Sequence, residues 1–414
     1  IFTGRLWGTN QRAYISNAGM NYSGAEIKTD LFIDRSSQMF PGAKFSAGGD
    51  YERRGYKFFA SPVPNLKRDV YNGNIHLRFS DLSSEKIRFD LRFLERMLYV
   101  KDADLGENTF NGRFSVETGF NGFIFGGSVN YINQSLSKIV PGSANSSFID
   151  NKVYLKIHTS NNLEVGAGLN YASAGGSSNF FAPFGTIVFK LDKNFTLLGE
   201  FNPGADFVTT GDLLDQNRFM NVNSINNIFV KKTNNFKAAV KYEYDTYFEI
   251  DAGVKFTKYD NFPFFNDKNM KGIFDVKTIE AKRFGLFANA LFHLGPFGML
   301  YAGLEFEDFK DLHAKLVPYN SALNMNLNYG YDFSDVFRGE LKLNASTLSF
   351  GDTLNSPQFR LPGFFNGAVK LTYKIWQDFN IYSQFSNIFN DKYYLWRGYQ
   401  EKPFDFTLGI DYRW

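Results

Sequence analysis

Phe404-Asp405-Phe406-Thr407-Leu408-Gly409-Ile410-Asp411-Tyr412-Arg413-Trp414 closes the chain, and in it apolar and polar residues alternate without a break. Phe404, Phe406, Leu408, Ile410, Tyr412 and Trp414 fall on one face; Asp405, Thr407, Gly409, Asp411 and Arg413 fall on the other. A period of two is the signature of an extended strand, whose side chains point alternately to its two faces. About 9 to 11 such residues, with an aromatic at each end, match a strand tilted across an outer membrane.

The pattern recurs backwards along the chain. Leu323, Met325, Leu327, Tyr329 and Tyr331 oppose Asn324, Asn326, Asn328, Gly330 and Asp332. Phe337, Leu341, Leu343 and Ala345 oppose Arg338, Glu340, Lys342 and Asn344, and Phe248, Ile250, Ala252 and Val254 oppose Glu249, Asp251 and Lys255. Charges on every polar face cannot sit in hydrocarbon, so those faces are expected to line an interior. Composition agrees: aromatics make up 18% of 414 residues, yet mean hydropathy is only −0.29, as alternation requires. No run approaches the roughly 18 apolar residues of a membrane helix, so a membrane crossing must use a closed barrel. The fold class is therefore all-β: a transmembrane antiparallel up-and-down barrel, set in a bacterial outer membrane with lipid and lipopolysaccharide around it.

Short and long connections alternate. Turn chemistry marks Asn121-Gly122, Asn161-Asn162, Asp192 to Asn194, Asp245 to Tyr247, Gly295-Pro296, Phe333 to Asp335 and Gln377-Asp378. Long connections are expected near 100–111, 133–149, 202–234, 258–283, 309–321, 347–364 and 390–403. With Trp414 at the periplasmic end, this parity gives 17 strands from Tyr71 onward. Five more are placed at 2–9, 12–22, 25–35, 44–52 and 54–60, about 22 in all, with 18 or 20 left open. The whole chain, 1–414, reads as one barrel domain. Ile1 already lies in patterned sequence, so an export signal is expected upstream of it.

Asn387-Ile388-Phe389-Asn390-Asp391-Lys392-Tyr393-Tyr394, followed by Pro403 and a final strand ending in an aromatic, resembles the closing segment of TonB-dependent receptors. The chain departs from that family at Pro403, which precedes Phe404 and Asp405 directly where the family usually has Pro-Gly-Arg. The resemblance implies a barrel of about 22 strands whose lumen is plugged, a plug domain and TonB-contacting box ahead of the barrel, and recognition by the barrel-assembly machinery. In that reading Phe404, Phe406, Leu408, Ile410, Tyr412 and Trp414 form the assembly signal as well as a lipid face.

Other chemistry is sparse. Net charge is +3, from 45 basic and 42 acidic residues, too balanced to argue for nucleic acid. The absence of cysteine removes disulfides and thiolate metal sites. His76, His158, His293 and His313 lie far apart with no ligand spacing, and solvated histidines outweigh a metal site. Asp90, Glu243, Asp251 and Glu340 alternate with Arg88, Arg92, Lys241, Lys255 and Lys342, which reads as an ion-pair lattice rather than a catalytic pair. No nucleophile elbow, phosphate loop or zinc-protease motif appears, so no enzyme, cofactor, catalytic residue or metal is expected.

The segment Asn202 to Asn234 is too apolar for a solvated loop, carrying Phe207, Phe219, Met220, Ile228 and Phe229. Three fates suit it: folding into the lumen, capping the mouth, or holding a partner. Phe262, Phe264 and Phe265, with Trp396, are candidate ligand contacts on outer loops, weighed evenly against an extended aromatic belt. The leading reading is a TonB-receptor-like transporter that binds or moves a nutrient ligand, its lumen filled by an upstream plug or another protein chain. A passive porin and a structural barrel anchoring partner proteins at the cell surface stay open.

Overall fold

Glycine in a strand can mark either a break or a seat for a neighbouring ring, and here it is the seat. The computed structural model describes residues 2–412 apart from 38, 82, 83, 85, 138–144, 161, 176, 177, 225, 226 and 268–270. Its first strands are β1 (Phe2–Gln11), β2 (Met20–Phe32) and β3 (Lys44–Lys57). Five were expected in this region; of the expected 12–22 strand, residues 12–19 form the turn after β1 and the rest joins 25–35 in β2, while 44–52 and 54–60 fuse into β3. At Gly24 a Cβ would come within 2.2 Å of the Trp7 ring, and at Gly48 within 2.5 Å of the His76 imidazole. These glycines admit a side chain from the adjacent strand and do not turn the chain.

The wall continues through β4 (Lys67–Asp81), β5 (Ile87–Val100), β6 (Leu105–Phe120), β7 (Phe123–Leu136), β8 (Asn145–Ser160), β9 (Leu163–Ala174) and β10 (Ser178–Lys190). After β11 (Phe195–Phe201) and β12 (Gly204–Thr209) comes a short helix, α1 (Thr210–Gln216), then β13 (Asn227–Tyr244), β14 (Phe248–Asn266) and β15 (Asp275–His293). Beyond them run β16 (Met299–Asp311), β17 (Leu323–Ser334) and β18 (Phe337–Ser346). Two small outer pairs, β19 (Ser349–Phe350) with β20 (Arg360–Leu361) and β23 (Tyr394–Trp396) with β24 (Tyr399–Gln400), decorate the last long connections. The wall strands among them are β21 (Phe364–Trp376), β22 (Phe379–Ser386) and β25 (Asp405–Tyr412).

Every wall strand pairs antiparallel with the next in sequence. Because β11 and β12 both pair with β13, they count as one broken crossing. The described wall therefore has twenty crossings, one of the numbers the alternation left open, and the 17 expected from Tyr71 onward are all present. Curvature brings the ends together at the outer mouth. The Tyr14 hydroxyl, between β1 and β2, donates to the Gln400 carbonyl, between β22 and β25, at 2.5 Å.

Register preserves the two faces. Phe404, Phe406, Leu408 and Ile410 point outward and are 50–67% exposed, and Leu6, Ile27, Leu31 and Val153 elsewhere on the belt are exposed too. A contiguous apolar exterior of this extent belongs in lipid and places the barrel in the outer membrane. Near the short turns, aromatic contacts such as Tyr244–Phe248, Phe248–Phe292 and Trp376–Phe379 form the inner girdle. Asn121 and Gly122 both take positive φ, +48° and +82°, the twist a tight hairpin requires. Trp414 and the turn residue Asn161 lie outside the described residues. Leu408→Arg would drive a guanidinium into mid-bilayer, and the barrel is expected to lose about 2–4 kcal/mol in urea unfolding from liposomes. An unchanged midpoint would argue against a lipid-facing Leu408.

Several expected outer loops prove shorter, because strands rise past the membrane. Between β5 and β6 only 101–104 turn, and β14 runs on to Asn266 with a bulge between Tyr259 and Phe262. At about 3.3 Å per residue, the 19 residues of β14 far exceed a hydrocarbon band about 25 Å tall. The largest apolar core lies at this raised rim, around Phe58, Phe219, Phe274 and Tyr399.

Candidate functional site: a lid across the barrel mouth

A seven-residue helix is too short to hold itself in water, so α1 exists because of what surrounds it. Its start is fixed by a capping box: the Thr209 side chain accepts from the Asp212 N–H, and the Asp212 carboxylate accepts from the Thr209 N–H. Leu213 and Leu214 are buried beneath it, and Arg218, Phe219, Met220 and Asn221 follow. The preceding strand leans inward, with Phe207 stacked on Phe148 of the wall at 5.7 Å.

The segment is tied to both sides of the mouth. On the β3–β6 side, Asp215 pairs with Arg54 and Arg96, each at 2.8 Å, and the Gly211 N–H donates to Glu107 at 3.1 Å. Arg68, buried against the Phe58 ring, grips Asp102 and donates to the Met220 carbonyl at 2.6 Å. The Tyr56 hydroxyl donates to the Arg218 carbonyl at 2.5 Å. On the far side, the Asn221 N–H donates to the Phe274 carbonyl, and the Phe274 N–H donates to the Phe219 carbonyl. The Phe219 ring stacks on Tyr399 with centroids 3.5 Å apart, and the Tyr399 hydroxyl donates to the Gly272 carbonyl at 2.5 Å. Burial, with the nearby Asp267 carboxylate, pushes the Tyr399 hydroxyl well above its ordinary range, so it stays a neutral donor. A segment leaving the wall between β12 and β13 that touches β3 to β6 and the last loop must cross the mouth.

The aromatics singled out from sequence belong to this closure. Phe264 and Phe265 are buried; Phe262 and Trp396 are half-buried, packed against the same cluster. Phe262 meets Phe309 edge-on at 4.8 Å, and Phe265 meets Trp396 at 5.1 Å. The three phenylalanines sit on the risen part of β14, not on a loop, and all four rings hold the rim together.

The closing motif has a mechanical explanation. Asn387 is buried at φ +48°, a conformation asparagine tolerates. Its amide donates to the carbonyls of Asp391 and Lys402 and accepts from the Asp391 N–H. Asn390, at φ +54°, accepts from the Phe404 N–H, and the Asp391 carboxylate accepts from the Phe365 N–H. Ile388 hydrogen-bonds to Gly367, Phe389 packs on Phe365, and Tyr393 stacks on Phe364 while Lys392 faces solvent. The run clamps β21, β22 and β25 together, with Tyr394 starting β23. Asn387→Ala strips donors from two carbonyls and is expected to cost about 1–3 kcal/mol. Faster amide exchange at 387–404 would register it; unchanged exchange would refute the clamp.

Below the lid the lumen is charged. Asp90 pairs with Arg78 and Arg92, Glu117 with Arg88 and Lys156, Lys241 with Glu243 and Glu249, and Lys255 with Glu305. Asp251 accepts from Asn289, and Glu340 pairs with Arg338. Among the described residues no group of three His, Asp or Glu side chains is placed to hold a metal. His158 has Glu164 at 3.5 Å, and His76 lies over Gly48.

No family model and no curated protein matches the sequence. Solved structures do. The iron transporter FrpB from Neisseria meningitidis superposes with a TM-score of 0.71 at 13% identity, covering 100% of this chain and 76% of that one. The ferric-catecholate import receptor Fiu from E. coli K12 gives 0.68 at 12% identity, covering 100% and 77%. The copper transporter OprC gives 0.64 at 13%, covering 100% and 79%. At such identities the likeness is one of fold, and it extends the resemblance to TonB-dependent receptor barrels from the closing segment to the whole chain.

Proposed function

We propose that the chain is the barrel of an outer-membrane transporter for a nutrient ligand, closed at rest by its own lid. The observation that carries this reading is the 210–222 segment, which straps the β3–β6 wall to the β14–β15 hairpin and the last loop. A porin needs an open mouth, whereas a receptor that admits cargo only on demand needs a closed one that can be displaced. The fold-mates named as iron, ferric-catecholate and copper transporters support cargo traffic through such a barrel. In this reading a plug, within the same polypeptide or another, fills the lumen below the lid and is moved by an inner-membrane partner. The outward residues of β25, with Trp414, present the barrel to the assembly machinery. The reading assigns no catalytic residue.

Liposome swelling with sugars of increasing size tests it. The native chain should admit them slowly, and a chain with 210–222 replaced by a short Gly-Ser link should admit them quickly. Equally fast swelling by both would favour the porin.

A further inference from the structure

Strand register builds a row of like charges on the outside of the barrel. Lys258 on β14 lies directly opposite Lys282 on β15, and Lys282 directly opposite Lys310 on β16. All three point away from the lumen: alternation puts them on the face of Val254, Leu286 and Phe306, which are exposed to lipid, while their neighbours Thr257, Tyr259 and Phe309 are buried inside. Like charges directly opposite one another destabilise a sheet. Compensation is incomplete. Asp308 pairs with Lys310 at 2.9 Å, but Lys258 and Lys282 have no ion pair among the described residues. The next acids along the two strands, Asp260 and Glu280, stand beyond the row, on the side away from the membrane.

Height identifies what the row meets. Phe248 and Phe292, paired in the inner girdle, mark the periplasmic edge of the apolar band, and Lys258 and Lys282 each stand ten residues away along the same two strands. At about 3.3 Å per residue and a tilt of about 40°, ten residues climb about 25 Å, the height of the whole band. The lysines therefore sit at the level of the outer leaflet's headgroups. A groove leads down from them. It has a volume of about 560 Å³, is almost wholly apolar, and is lined by Gly185, Gly199 and Ala238 together with Ile187, Phe236 and Phe284. Gly199 pairs with Ala238 in register, so two adjacent strands lack side chains large enough to fill the wall there. Phe284 lies two residues below Lys282, so the groove opens directly under the row.

We propose that this outer face seats one phosphorylated, multiply acylated lipid of the outer leaflet, with its phosphates on Lys258, Lys282 and Lys310 and an acyl chain in the groove. The seat lies outside the barrel and is independent of what fills the lumen. Strands about 4.8 Å apart spread the three ammonium groups over about 10 Å, a span that a single headgroup with two phosphates covers. Phosphate oxygens relieve the repulsion within the row, and lysines at a membrane surface are drawn to anionic headgroups. A neutral lipid would leave the row unrelieved. The groove adds selectivity more than affinity, because surrounding lipid tails are as apolar as its walls and only a chain that fits its shape gains by packing there.

Native mass spectrometry of the full chain in detergent, titrated with a bisphosphorylated, hexa-acylated lipid A, tests the seat. The native chain should retain one lipid, and the same lipid stripped of its phosphates should bind at least about tenfold more weakly. Lys258→Gln with Lys282→Gln should cause a loss of the same size, while heat-modified gel mobility stays native because neither side chain holds an ion pair. Lys67→Gln with Lys101→Gln removes the same charge from two exposed positions on the β4–β6 side of the rim and should leave binding unchanged. Ala238→Leu fills the groove and should shorten retention of the lipid without altering its preference for phosphate. Equal binding of the phosphorylated and stripped lipids, full binding by Lys258→Gln with Lys282→Gln, or equal loss in both lysine pairs overturns the seat. Undiminished retention by Ala238→Leu overturns the groove's part in it.

Discussion

Arg68→Ala is expected to release the lid, at a cost of about 3–5 kcal/mol. Arg68 is 5% exposed, its Nε and Nη2 hold Asp102 at 3.0 Å, and its Nη1 holds the Met220 carbonyl at 2.6 Å. Truncation leaves a carboxylate in the rim without its counter-charge and a lid carbonyl without its donor. Breaking one side of a buried ion pair is far more costly than replacing both sides. Arg68→Leu with Asp102→Leu should therefore recover much of the stability while the lid still lacks its Met220 anchor. Trypsin reads the difference, because Arg218 lies within the lid and is half-buried when it is shut. Cleavage after Arg218 in reconstituted barrels should be slow in the native chain and fast in Arg68→Ala. Equal rates would mean that Arg68 does not restrain the lid.

Phe219→Ala should have an effect of the same size by a different physical route. The ring is 1% exposed, stacks on Tyr399 at 3.5 Å, and meets Tyr56 and Phe58 at 5.8 and 6.1 Å. Removing a buried phenyl group costs about 3–5 kcal/mol through lost transfer energy and the cavity left behind. Because the ring bridges the β3 side and the last loop, that loss is concentrated on the closed state. Phe219→Leu fills most of the volume and should cost less than about 2 kcal/mol. Hydrogen exchange at 210–222 and at 396–400 should accelerate together in Phe219→Ala. Acceleration at only one of them would mean that the two sides of the mouth are not joined through this ring.

How much of this was legible follows from the range of each interaction. Alternation is local, so Phe404, Phe406, Leu408 and Ile410 could be assigned to lipid from sequence, and strand parity followed back to β4. The first 70 residues were divided too finely because the length of a strand is set by its partner: Met20–Phe32 and Lys44–Lys57 pair with each other residue for residue, which no local window contains. The lid was half legible. The apolar content of Phe207, Phe219, Met220 and Ile228 marked 202–234 as something other than a solvated loop, and all four are buried. Its straps were not legible: Arg54 and Asp215 are 161 positions apart, and Tyr399 and Gly272 are 127 apart. For the same reason Phe262, Phe264, Phe265 and Trp396 looked equally suited to a ligand or a belt, although they pack on one another and on the rim. Cross-strand neighbours such as Arg78 opposite Arg92 required register, which fixes who stands opposite whom and is set by pairing across the whole sheet.

Single-channel conductance in planar bilayers tests the closed mouth most directly, comparing the native chain with Arg68→Ala and Phe219→Ala. The native barrel should be silent or flicker briefly at low conductance, and each variant should show long, large openings. A steady large conductance from the native chain, unchanged in both variants, would contradict the account.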